Sequence, residues 1–126
     1  MPVLHQSMFS LSFVLLTAMM SSRTLAANAP LFNRDIRPIL SANCFQCHGP
    51  DDKHREADMR LDDEAGVVAA FSGSLAKSEA WQRIISNDPD TRMPPVDSHL
   101  ELKPEQIALL KAWIESGAKW EGHWSF

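Results

Sequence analysis

The sequence has no apolar run long enough to hold the chain in a membrane. Its most apolar stretch, Met8 to Met20, falls short of the roughly 20 residues a bilayer span needs and is interrupted by Ser10, Ser12 and Thr17. Followed by Ser, Arg and small residues, it has the pattern of a secretory leader, with Ala27-Asn28-Ala29 as the cleavage site. Residues 1–29 are therefore read as a signal peptide and 30–126 as one exported domain, periplasmic or otherwise extracytoplasmic, with no transmembrane segment after cleavage. Positive charge is also scarce: 12 Lys and Arg against 16 Asp and Glu give a net charge of −4. No basic patch points to nucleic acid, and no cationic amphipathic helix points to a membrane surface. Alternating strand patterns, internal repeats and low-complexity segments are missing. So is any nucleophile with its base, carboxylate pair or phosphate loop, and the chain is not expected to be an enzyme by itself. Its length allows one core and one main site.

Cysteine is scarcest of all, yet both copies fall in one short stretch, Cys44-Phe45-Gln46-Cys47-His48-Gly49. Two thiols two residues apart with histidine next form the attachment signature of c-type haem. Each thiol adds across one haem vinyl group, and two thiols on one short turn reach both vinyls on one porphyrin edge. The residue that follows, His48, then supplies the proximal imidazole to the iron. An exported chain fits this chemistry, because such attachment usually takes place outside the cytoplasm. A thioredoxin-like dithiol would sit at a helix start after a strand, and the flanks here read as helical. A zinc site needs four ligands, which only scattered histidines could complete. A Cys44–Cys47 disulfide would close too short a loop to stabilise much.

The flanks predict an all-α fold, a small helical domain with long loops around one covalent haem. Phe32, Ile36, Ile39 and Leu40 recur at helical spacing, with Asp35 as N-cap and Pro38 at the third helical position. Ser78 to Ile85 predicts a short helix with Trp81, Ile84 and Ile85 inward. Leu102 to Gln106 opens a longer one, whose Ile107, Leu110, Trp113 and Ile114 make a core stripe ending at Gly117. Gly66, Gly73, Pro89, Pro94 and Pro95 mark loops. Trp120, Trp124 and Phe126 are expected to fold back onto the core, the alternative being a docking surface.

A second axial ligand could come from Met59, Met93, His54, His99 or His123. Met93 is the best placed, in a proline-stiffened loop (Arg92-Met93-Pro94-Pro95) before the last helix, with Met59 read as ordinary packing. Met/His ligation raises the potential of the iron. Asp51 to Glu64, with seven acids and three bases, reads as a solvated loop, the alternative being a docking rim for a basic redox partner. Two other readings stay open: a haem-based sensor or peroxidase-like site with an open distal position, and a non-haem module using its cysteines for zinc or a disulfide.

Taken together, FNRDIRPILSANCFQCHGPD, MRLDDEAG, RII followed by RMPP, and LLKAWIESGAKWEGHWSF resemble the planctomycete cytochrome c domain, over roughly residues 31 to 126. Where that family commonly carries a glycine-rich stretch ending in Pro-Gly, this chain has Phe71-Ser72-Gly73-Ser74-Leu75-Ala76-Lys77. The resemblance implies one haem c attached through Cys44 and Cys47, His48 as proximal ligand and Met93 as distal ligand. It also implies single-electron transfer to a redox partner protein or domain, such as a separately encoded catabolic enzyme.

Overall fold

The structure, a computed structural model, describes residues 28–122. The signal-peptide reading rests almost entirely on residues outside that range, as do the readings of His123, Trp124 and Phe126. Among the described residues there are helices and loops and no strand, as the sequence predicts. No helix among them is long and apolar enough to cross a membrane.

The chain enters through a π-helical turn, Phe32–Ile36, that runs straight into α1, Arg37–Asn43. Here the observed start differs from the expected one. Asp35 is not an N-cap: it lies inside the π turn, where its carboxylate accepts from the Leu31 N–H at 2.8 Å and pairs with Arg34. That pairing, with the Arg34 hydrogen bonds as the main cause, holds the Asp35 carboxyl below its ordinary pKa. Pro38 explains the wider turn. Its ring would meet the carbonyl four residues back in a regular helix, and the Arg37 N–H bonds instead to the Phe32 carbonyl five residues back. A short helix α2, Phe45–His48, follows at once and carries the second cysteine and the histidine.

Helix α3, Glu64–Phe71, lies where the sequence reading saw a loop. Asp63 caps it by accepting from the Gly66 N–H at 2.8 Å. Gly66 itself had been read as a loop marker. The structure shows a different need: a Cβ at this position would stand 1.6 Å from the Arg60 carbonyl oxygen, so only glycine lets the loop pass this close. Helix α4, Glu79–Ile84, starts as predicted at Ser78, whose Oγ accepts from the Trp81 N–H at 3.1 Å and donates to the Ala70 carbonyl at 3.1 Å. One hydroxyl thus caps α4 and ties it to α3, and Ser78 is 1% exposed. Trp81 is buried, but Ile85 turns outward and is 46% exposed, against the expectation, because α4 ends one residue before it. Helix α5, Pro104–Glu115, buries Leu110, Trp113 and Ile114 as predicted and stops before Gly117, which has φ of 106°.

The core joins the two ends of the chain. Phe32 lies 5.7 Å from Trp113 and 4.4 Å from Trp120, and Phe71 meets Trp113 edge-on at 5.4 Å. Trp113 also donates through Nε1 to the Lys119 carbonyl, and the Asn33 N–H donates to Glu121 at 2.7 Å. Trp120 is therefore a folded-back anchor, its other face covered by the Arg37 guanidinium at 5.1 Å. This aromatic cluster fixes the π-helical turn against α5, and the CxxCH turn projects from the C-terminal end of α1, which continues the π-helical turn.

Candidate functional site

Cys44 ends α1, and the turn it begins is held by its own backbone: the Cys47 and His48 N–H groups both donate to the Cys44 carbonyl, at 3.2 and 2.8 Å. Both side chains of the pair are free thiols, separated by Phe45 and Gln46 and half-buried. Two further bonds pin the charged loop onto this turn. The Glu56 N–H donates to the Cys47 carbonyl at 2.7 Å, and the Leu61 N–H donates to the His48 carbonyl at 2.8 Å. Residues 51–58 of this loop are mostly solvated, as the sequence suggests, and residues 57–61 form one wall of the site. Gly49 follows His48 because the chain must turn sharply there: a Cβ would lie 2.2 Å from the Phe45 carbonyl oxygen.

His48 has Nδ1 buried without a hydrogen-bond partner. Buried polar atoms are nearly always satisfied, so an orphan on a residue that borders a cavity is worth weighing as a sign of a missing partner. Two adjoining cavities supply the space. The larger, about 470 Å³, is bounded by Cys44, His48, Met59 and Met93 among mainly apolar neighbours such as Leu61 and Phe71. The smaller, about 90 Å³, is bounded by Cys47, Pro94 and Pro95, and shares Cys44, His48, Ile84 and Met93 with the first. The larger falls within the few-hundred-Å³ range of cofactor sites, and its apolar lining suits a flat porphyrin.

Met93 reaches these cavities from a separate segment. The Met93 N–H donates to the Arg83 carbonyl at 3.1 Å, anchoring the loop to α4, and the Met93-Pro94 peptide is cis. Behind it the loop is stiffened by its own bonds, Ser86 Oγ to Thr91 Oγ1 at 2.7 Å and the Arg92 N–H to the Asp88 carbonyl at 2.9 Å. The structure therefore brings Cys44, Cys47, His48 and Met93 around one space, the four residues singled out from the sequence. Met59 packs against the core, as the sequence suggests, and it also lines the larger cavity. It stands on the loop pinned to the CxxCH turn, so it shares a wall with His48, whereas Met93 is offered from α4. His54 points away, 73% exposed, with its Nδ1 2.7 Å from Asp51, whose hydrogen bond raises the imidazole pKa. His99 is exposed and borders neither cavity.

The chemistry of the thiols argues against one rival reading. Burial, with a smaller push from Cys47, drives the Cys44 thiol up to about 12. A dithiol that attacks disulfides needs a depressed pKa, and this one is displaced the other way. Among the described residues, no three of His, Cys, Asp or Glu come together in a metal-binding group.

No curated protein and no solved structure matches the chain. A family model described as Planctomycete cytochrome C matches residues 44–97, from the first cysteine to just beyond the Met93 loop. The match is narrower than the span over which the sequence resemblance was read, and it takes in all four residues around the cavity. Over that segment the chain is similar to the planctomycete cytochrome c family, which supports the resemblance seen in the sequence and suggests a c-type cytochrome-like domain.

Proposed function

We propose that this domain is an exported monohaem electron carrier, with haem c joined to Cys44 and Cys47 and the iron held between His48 and Met93. The observation that carries the proposal is the cavity on which both thiol-bearing residues, an unpartnered imidazole and a thioether converge. When bound, the haem supplies a one-electron iron couple. The residues of the chain do the rest. The backbone bonds on both sides of the CxxCH turn hold His48 in one orientation. The anchored Met93 loop presents its sulfur with little rearrangement, as fast electron transfer requires. The apolar lining excludes water and so favours the ferrous state. Catalysis, where this electron is used, belongs to a partner protein.

Denaturing electrophoresis with haem staining, after expression with an exported haem-attachment system, tests the covalent part. The wild-type chain should carry haem through denaturation, Cys44→Ala or Cys47→Ala should each hold it by one bond, and the double variant should lose it. Haem that extracts freely from the wild type would overturn the assignment.

A further inference from the structure

Four charged side chains border the larger cavity: Asp58, Arg60, Glu79 and Arg83. The smaller cavity, on the Cys47 side, has no cationic lining at all. The combined space is therefore uneven: of the two cavities, Cys47, Pro94 and Pro95 border only the smaller, Arg60 and Arg83 border only the larger, and Cys44 lies where the two meet. A porphyrin joined through its vinyl edge to the cysteines carries its two propionate carboxylates on the remote edge, and the two arginines are the cations that border the cavity Cys47 does not reach. Of the acids nearby, Asp58 is 95% exposed and Glu79 74% exposed, so water rather than the cavity solvates them.

The two arginines are not equally free. Arg60 is engaged by Asp62 through two hydrogen bonds and by Asp63 at 3.4 Å. Among the described residues Arg83 is engaged only by Glu79, whose Oε1 accepts from Nε and Nη2 at 3.3 and 3.2 Å. A guanidinium has five N–H donors in a fork matched to a carboxylate, and a buried carboxylate competes well against a loose, solvated one. Resting on the haem reading above, we infer that Arg83 is the main propionate partner, with Arg60 as a second, weaker one. Arg83 then serves the site twice. Its carbonyl fixes the Met93 backbone, and its side chain neutralises a haem carboxylate, which disfavours the ferric state and raises the potential.

The test is the midpoint potential of the full-length, haem-loaded protein by spectroelectrochemistry, for Arg83→Gln, Arg83→Lys, Arg60→Gln and Lys111→Gln. Lys111 pairs with Glu115 on α5 and borders neither cavity, so its variant controls for lost charge alone. Arg83→Gln should shift the ferrous-to-ferric ratio about tenfold toward ferric beyond the control, equivalent to about 59 mV for a one-electron couple. The far-red methionine-to-iron band should persist, because the Arg83 carbonyl remains, and Arg83→Lys should restore part of the shift. A potential equal to the Lys111→Gln value would overturn the assignment, as would a drop confined to Arg60→Gln. Loss of the methionine band in Arg83→Gln would reduce the residue to a structural role and also overturn it. A wild-type chain that attaches no haem would instead refute the underlying reading, a distinct result.

Discussion

Replacing Ser78 by alanine should destabilise the domain far more than the loss of one surface hydroxyl would. The hydroxyl caps α4 through the Trp81 N–H and donates to the Ala70 carbonyl, in a position 1% exposed. Loss of an N-cap costs about 1 kcal/mol. A buried carbonyl left without its donor adds about 1–2 kcal/mol, since no water reaches it to compensate. The total, about 2–3 kcal/mol, corresponds to a fall of roughly 10–20 °C in Tm for a domain of this size. Circular dichroism melts of haem-loaded protein would read it, with Ser74→Ala as control, because Ser74 is exposed and its hydroxyl bonds to nothing among the described residues. The fall should be accompanied by weakening of the methionine-to-iron band, because α4 is the element that anchors Met93. Equal melting temperatures for the two variants would refute the role given to Ser78.

Three further outcomes follow from the same geometry. Gly66→Ala should destabilise by at least about 1–3 kcal/mol in urea titration, because the added methyl meets the Arg60 backbone rather than a movable side chain; a neutral result would mean that the loop does not pass there. Trp120→Ala should cost about 2–3 kcal/mol, the low end for a half-buried tryptophan, through lost contact with Phe32 and Arg37; an unchanged Tm would remove its anchoring role. The haem-free chain should lose stability as pH rises from the ordinary thiol range near 9 toward 12, because the unfolded chain releases the Cys44 proton while the folded chain retains it. The rise from near 9 to about 12 sets a ceiling of about 4 kcal/mol, and Cys44→Ala should lack this alkaline component; an identical alkaline loss in that variant would contradict it.

The sequence revealed most where one residue type has one physical use. Two cysteines before a histidine admit few arrangements, and Ser78, the α5 stripe and Gly117 all fell where local chemistry placed them. It misled where a residue has two uses. Gly66 read as a loop marker, but its role is a close backbone crossing inside α3, which only the path of Arg60 reveals. Asp35 has the profile of an N-cap, yet the demand of Pro38 for a wider turn placed it inside a π segment. The proline-stiffened loop ranks Met93 above Met59 in the sequence, yet both border the larger cavity. What separates them is the pair of hydrogen bonds that fix the acidic loop to the CxxCH turn, a long-range pairing with no local signature. The arginines on the cavity were likewise invisible, because their roles depend on which side of that space each helix faces.

The most direct test is the absorption spectrum of the exported, haem-loaded protein, oxidised, then reduced, then reduced under carbon monoxide, for the wild type beside Met93→Ala. The account predicts a c-type spectrum with the methionine-to-iron band and no response to carbon monoxide in the wild type, and loss of the band with carbon monoxide binding in the variant. A wild type that binds carbon monoxide, or a Met93→Ala protein that keeps the band, would contradict closed His48/Met93 coordination.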